Sequence, residues 1–495
     1  MGPVGRGRGR GRARLAAAAA AAGGGGGGAP PPSPHGGPAR GGEVLLQGFH
    51  WTSWRAGAWY RRLQGIAGDA ARAGFTDVWL PPPCHSASPE GYLPGRYYDL
   101  DTPYGTRSEL AECVAAFGEA GVRCLADLVL NHRCLEGRDE DGKWTNFSAS
   151  TRPCVEGDEE CESYISEVTD WGKWVIAAND GIVSGSSDGP ELAAVAPDLD
   201  HENPELRAAL TDWLGWLRSE LGFAGWRLDF ARGFGAEHAA RYVQDSVGPD
   251  ALSVAEYWAD ASWRGPHLEY DQDRMRQVMC DWIDAVDAAA DTRICAFDFG
   301  TKVVLQEAVR NDEYWRLRDS NGSPPGLIGW WPERAVTFIE NHDTGFECNG
   351  QGHWAFPPGK EEIGYAYILS HPGVPSVFFP HVYGCKPQGP GEAGGDCVPD
   401  DLAGTVRALL AARRAAGVSA GSKVQILCAD ADLYFARVEG ERGALCVKLG
   451  PRYDIGPLDP SHAAEEPAEL VCCGEGFAVW AVAPVGAGGG AAAAG

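Results

Sequence analysis

Three stretches of this sequence each run from apolar residues into an acid. The first is Gly225-Trp226-Arg227-Leu228-Asp229-Phe230-Ala231-Arg232-Gly233. The others are Leu252-Ser253-Val254-Ala255-Glu256-Tyr257-Trp258 and Val336-Thr337-Phe338-Ile339-Glu340-Asn341-His342-Asp343. In the first, Trp226, Leu228 and Phe230 alternate with Arg227 and Asp229, the period of a strand with two charges on one face. An Arg and an Asp turned inward together are costly unless paired or used. Three strands delivering Asp229, Glu256 and Asp343 to one rim is how a β/α barrel assembles a site for acid/base chemistry.

The elements needed to position them are legible. Val44–Phe49, Phe75–Leu80 and Val122–Leu130 read as strands one to three, separated by helical stretches Ala58–Ala73 and Leu110–Gly121. Strands four and five carry Asp229 and Glu256. Arg293–Phe297 is strand six, the run into Asp343 strand seven, and Val374–Phe379 strand eight. The stretch 132–200 is polar, Gly-rich and too long for a loop, so it reads as a subdomain inserted after strand three. Helix Pro204–Leu221 resumes the alternation. After 420, Val424–Leu427, Leu433–Arg437, Ala444–Leu449 and Phe477–Trp480 are short strands with turns between them, a small antiparallel domain. The expected division is 1–42 targeting or disordered, 43–131 and 201–419 barrel, 132–200 insertion, 420–485 antiparallel β domain, and 486–495 tail. The fold class is α/β, a closed (β/α)8 TIM barrel.

Composition narrows the partners. The 495 residues are 44 % hydrophobic and carry a formal charge of −26, which argues against nucleic acid or an anionic membrane. No apolar run nears the length of a transmembrane helix. The 18 Trp read mostly as core, with the adjacent pair Trp330-Trp331 suited to an exposed role. The 15 cysteines show no zinc-finger spacing. Cys124 reads as a small core residue, Cys134, Cys154 and Cys161 cluster in a loop region, and Cys385 and Cys397 flank a Gly/Pro-rich loop they could close. Residues 1–42 hold Arg-Gly repeats, Ala and Gly runs and no acid, the composition of a disordered or targeting segment. A plastid signal is favoured over a secreted or cytoplasmic location. A monomer is expected.

With these residues in hand the chain from Val44 to Trp480 resembles the plant-type α-amylases of the α-glucan-active glycoside hydrolases. The matching segments occur in order: Gln47-Gly48-Phe49-His50-Trp51, Val78-Trp79-Leu80-Pro81-Pro82-Pro83, Glu90-Gly91-Tyr92-Leu93-Pro94-Gly95-Arg96, Val129-Leu130-Asn131-His132-Arg133, Trp226–Gly233, Ala255-Glu256-Tyr257-Trp258 and Glu340–Gly345. The resemblance implies endo-hydrolysis of α-1,4-glucosidic bonds in starch and malto-oligosaccharides, with retention. Retention needs two carboxyl groups about 5–5.5 Å apart, one nucleophile and one acid/base. By motif Asp229 is the nucleophile, Glu256 the acid/base, and Asp343 the third acid, which holds sugar hydroxyls. Arg227 keeps Asp229 ionised, His132 and His342 bond the same sugar, Tyr92 lies beneath it, and Trp258 and the Trp330-Trp331 pair also meet substrate. The resemblance also implies Ca2+ clamping the insertion through Asn131, Asp188, Asp198 and the Gly233 carbonyl. Asp180 and Glu191 are candidates for a further calcium. Two departures are Leu93 in place of a Met and the Pro387–Pro399 insertion at the active-site rim. The rivals are a transglycosylase or branching enzyme of the same clan, or a non-catalytic glucan-binding protein.

Overall fold

A computed structural model describes residues 41–142, 144–147, 171–177, 196–346, 348, 350–385, 400–462 and 468–483. Eight parallel strands close into a barrel: β1 Leu45–Gln47, β2 Asp77–Leu80, β3 Arg123–Leu128, β4 Gly225–Leu228, β5 Ser253–Ala255, β6 Ile294–Phe297, β7 Ala335–Thr337 and β8 Val374–Phe378. Their order round the barrel is β1-β8-β7-β6-β5-β4-β3-β2. Seven of the eight are buried along their whole length, and only Arg123 at the start of β3 is less than buried. That is why they read as apolar runs rather than alternations.

Helices cover the outside. In α1, Trp59–Ala73, the buried residues are Trp59, Tyr60, Leu63, Ala67 and Ala70, a stripe at helical spacing. In α2, Arg107–Glu119, Thr106 accepts from the Glu109 amide while Glu109 returns a bond to the Thr106 amide, which fixes where the helix starts. In α3, Pro204–Leu221, Asn203 caps Glu205 and Leu206, and Pro204 occupies the first turn. The outer layer continues with α4 Ala236–Ser246, α5 Asp273–Ala289, α6 Phe299–Asn311, α7 Glu361–Ser370 and α8 Asp400–Ala416.

Register does the positioning. Asp127 on β3 pairs with Arg227 on β4, and Leu228 with Ala255 on β5. The Asp229 amide then bonds the Leu128 carbonyl and the Glu256 amide the Leu228 carbonyl. Three strand ends are therefore level at one rim. The inserted stretch is tied there by bridges His132↔Asp198 and Ile176↔Leu199.

A second sheet is antiparallel, in the order β9-β10-β11-β13-β12, with β9 Val424–Ala429, β10 Tyr434–Glu439, β11 Ala444–Leu449, β12 Ala468–Gly474 and β13 Phe477–Val482. It joins the barrel through a buried bond between His371 Nε2 and the Tyr434 hydroxyl at 2.8 Å. Beneath it, Arg413 donates to the carbonyls of Leu369, His371 and Gly373 at the end of α7.

Three details differ from the sequence reading. Strand seven does not run to Asp343, because β7 ends at Thr337. The Asn341 side chain accepts from the amides of Asp343 and Thr344, an Asx turn that ends the extended run and leaves Asp343 on a loop. The edge strand β12 was not anticipated, since its mostly solvent-facing positions carry no clean alternation. Cys385 pairs with Cys348, Cα atoms 5.4 Å apart, and so cannot pair with Cys397. Cys124 is buried as expected. Cys154, Cys161 and the Pro387–Pro399 insertion lie outside the described residues. Among those described, no helix is long and apolar enough to cross a membrane.

Candidate active site

The site is organised around one guanidinium. Arg227 is 1 % exposed and projects from β4 into the barrel mouth. Its Nη1 donates to Asp127 Oδ1 at 2.8 Å and to Asp229 Oδ1 at 2.6 Å. Its Nη2 lies 2.7 Å from Glu256 Oε1. The cation lies over the Trp79 ring at 4.9 Å and the Tyr92 ring at 5.8 Å. Burying such a charge is tolerable only with partners of this kind. Immediately after Asp229 the backbone turns through Phe230 at φ 43°, a left-handed conformation rare for a bulky residue, which ends β4 under its acid. The Phe230 amide donates to Glu256 Oε2 at 3.3 Å.

Asp127 completes the network. Its Oδ2 accepts from the Trp79 indole at 3.0 Å and from the Tyr92 hydroxyl at 2.9 Å. The sequence reading missed this residue. Its signal was an acid inside the apolar strand Val122–Leu130, the same kind of signal that drew attention to Arg227.

The third acid arrives differently. Asp343 sits on the loop after β7, where His342 Nε2 is 3.3 Å from Asp343 Oδ2 and Gln351 Nε2 donates to Asp343 Oδ1 at 2.9 Å. His342 Nδ1 faces Gln47 Nε2 at 3.0 Å. The amide nitrogen of Gln47 can only donate, so His342 Nδ1 accepts and the ring proton is assigned to Nε2, facing Asp343. His342 stacks on Tyr92 at 5.1 Å with an interplanar angle of 6°, and Trp51 lies near-parallel to both. His132 Nε2 bonds the Tyr92 carbonyl at 2.8 Å. Gln47, Trp51 and Gln351 were not singled out as site residues. Gln47 and Trp51 stand inside a quoted motif, while Gln351 lies eight residues past Asp343, where nothing in the spacing marks it.

The electrostatics separate the carboxyls. Burial pushes the Glu256 carboxyl up to about 8. The charges of Asp229 and Asp343 push the same way, while Arg227 opposes them. Burial is the largest of these causes. Burial pushes Asp127 up to about 7 against the pull of Arg227, and also raises Asp343. Burial, with Arg227 beside it, holds His342 well below the usual imidazole range, so its ring is neutral. A carboxyl held protonated next to an ion-paired carboxylate can give a proton to a leaving group while the other attacks.

The remaining expected residues divide. Trp258 stacks on Phe299 at 4.5 Å and Trp354 at 6.0 Å, beside Glu256 in sequence. Trp330 and Trp331 precede β7 and so lie at the barrel end opposite the acids. The Arg276 guanidinium covers Trp330 at 4.0 Å, and Trp331 packs partly into the core. Asn131 Nδ2 donates to Asp198 Oδ1 at 2.7 Å, and Asn131 Oδ1 is buried without a hydrogen-bond partner. A Cβ on Gly233 would lie 2.1 Å from that oxygen, so only glycine lets the strand-four loop approach it. Asn131, Asp198 and Gly233, three of the expected calcium ligands, therefore adjoin one another at the rim. Asp180, Asp188 and Glu191 lie outside the described residues. Elsewhere Glu202, Glu237 and His238 cluster, and none of them was an expected ligand.

Two family models match: "Alpha amylase, catalytic domain" over residues 70–297 and "Alpha-amylase C-terminal beta-sheet domain" over 415–481. "Probable alpha-amylase 2" of Arabidopsis thaliana is 37 % identical, with the match covering 89 % of this chain and 94 % of that one. The chain belongs to the α-amylase family. "Alpha-amylase 3, chloroplastic" of the same plant is 39 % identical over 90 % of this chain, though this match spans only 44 % of that longer relative. A solved Anoxybacillus α-amylase superimposes with a TM-score of 0.60 at 16 % identity over 89 % of this chain and 98 % of that one, a likeness of fold. Family membership agrees with the closed barrel and the antiparallel sheet that follows it.

Proposed function

We propose that this chain hydrolyses internal α-1,4-glucosidic bonds of starch and malto-oligosaccharides by double displacement, with retention. The observation that carries this reading is Glu256, held protonated to about pH 8 beside the Arg227–Asp229 ion pair. In the first step Glu256 donates its proton to the leaving glycosidic oxygen and Asp229 attacks the anomeric carbon. In the second, Glu256 takes a proton from water, which releases the sugar from Asp229. Asp343 and neutral His342 bond hydroxyls of the sugar between them, His132 bonds the same sugar, and Tyr92 gives it an apolar floor. Trp258 meets the chain beyond the Glu256 side. Trp330 and Trp331 are assigned to polymer contact remote from the cleft.

Calcium is the assigned ion for Asn131, Asp198 and the Gly233 carbonyl, with Asp188 as a fourth ligand and Asp180 and Glu191 for a further ion. An unpartnered buried amide oxygen, a carboxylate and a backbone approach only glycine permits support that fit. Bound there, the ion adds positive charge that holds the inserted region against the rim. A plastid location is supported by the acid-free, Arg-rich first 42 residues and by a chloroplastic relative. A monomer is assigned.

Proton NMR of the first products from maltoheptaose tests the reading. The α-anomer is expected first. The β-anomer first would exclude double displacement, and glucan chains rejoined instead of hydrolysed would favour the transglycosylase reading.

A further inference from the structure

The loop that carries Asp343 also carries an aromatic ring that the chemistry above does not use. Phe346 is 60 % exposed. Single exposed apolar residues are common and need no explanation, but the backbone that carries this one is fixed at several points. The two limbs of its loop are laced together: the His353 amide donates to the Asp343 carbonyl at 3.1 Å, the Gly352 amide to Gly345 at 3.0 Å and the Gly350 amide to Phe346 at 3.3 Å. A Cβ added at Gly352, where φ is +63°, would stand 2.0 Å from a ring carbon of Phe346. The ring therefore rests on bare backbone, with its other side in solvent. Two residues on, the Cys348–Cys385 disulfide ties the loop to the segment after β8, and Thr52 Oγ1 donates to the Cys348 carbonyl at 2.5 Å. Thr52 adjoins Trp51, whose ring lies near-parallel to Tyr92 and His342 in the site.

We propose that Phe346 is a stacking platform for a glucose ring of the bound chain, outside the ring held by the three acids and on the Trp51 side of the cleft. The Cys348–Cys385 disulfide fixes the loop that presents it. Pyranose rings offer an apolar face of C–H groups that packs on aromatic rings. A ring presented by a fixed backbone costs little loop freedom on binding. The specificity this gives is for chain length: substrates long enough to reach Phe346 gain from it, and short ones do not. The inference rests on the hydrolase reading above.

The test is the ratio of kcat/KM for maltoheptaose to that for maltotriose in the parent, Phe346→Ala, Phe346→Tyr and Cys385→Ser. Phe346→Ala should lower the ratio about tenfold, through KM for the longer sugar, while Phe346→Tyr should keep it within about twofold. Cys385→Ser should shift it in the same direction as Phe346→Ala. An unchanged ratio, or equal losses on both sugars, overturns the proposal, because a purely structural loop residue would act on both alike. Maltoheptaose affinity measured by calorimetry in Glu256→Gln, with and without Phe346→Ala, separates this claim from the hydrolase reading. About tenfold weaker binding supports the platform even if the parent proves not to hydrolyse glucans, and equal affinities overturn it.

Discussion

Arg227 Nη2 and Glu256 Oε1 lie 2.7 Å apart, yet the Glu256 carboxyl is still pushed up to about 8. Burial of Glu256 raises its pKa more than Arg227 lowers it, and the charges of Asp229 and Asp343 add to the rise. The proton needed by the leaving group is then present at neutral pH. In the proposed mechanism the working form is the protonated one, which exists below the raised pKa. kcat/KM on maltoheptaose should therefore fall as pH rises through about 8, and a profile flat to pH 10 would contradict the assignment.

The same shift has a stability consequence. A carboxyl that ionises near 4.5 in the unfolded chain and near 8 in the folded one binds more protons folded. Its contribution is fully present below the unfolded value and is lost as pH rises through the folded one. Glu256→Gln should thus melt higher than the parent at pH 8, and the gap should close towards pH 4. Thermal unfolding at both pH values checks the sign.

Removing Arg227 leaves Asp127, Asp229 and Glu256 facing one another without a cation. Arg227→Met should cost about 3–5 kcal/mol in denaturant unfolding, the range for breaking a buried ion pair. Asp127→Asn keeps one oxygen to accept from Trp79 and Tyr92 and loses only the bond from Arg227, so it should cost less, about 1–3 kcal/mol. Equal losses would mean that Asp127 carries more of the network than its contacts indicate.

The Cys348–Cys385 bridge closes a loop with a sequence separation of 37 residues. Chain-entropy reasoning gives such a bridge about 3–4 kcal/mol. Cys348→Ser should lower Tm by several degrees, and a thiol reductant should lower the Tm of the parent by at least as much.

Calcium removal should act on the same scale. With the ion at about a hundredfold over its Kd, binding adds about 2.7 kcal/mol. EDTA should lower Tm and added calcium restore it, while Asn131→Ala should abolish most of that difference.

Much of this was legible because the chemistry lies where strands end. Asp229 and Glu256 each follow a short apolar run, and the register of β3, β4 and β5 sets them level. Asp343 was found as a site residue but misplaced as a strand end, since the Asn341 side chain diverts the backbone before it. Asp127 was passed over because one acid inside a strand looks like a structural residue until Arg227 is seen opposite it. The partner of Cys385 lies far along the chain, and no spacing rule reaches across such a gap. The edge strand Ala468–Gly474 has too little buried surface to leave a pattern.

The central claim is that Glu256 supplies the proton for glycosidic cleavage beside Asp229. Reducing-sugar release from soluble starch by the parent and by Glu256→Gln at pH 7 tests it most directly. The account expects clear release by the parent and a loss of about 10³-fold in the variant. Activity in Glu256→Gln within a few-fold of the parent would contradict it.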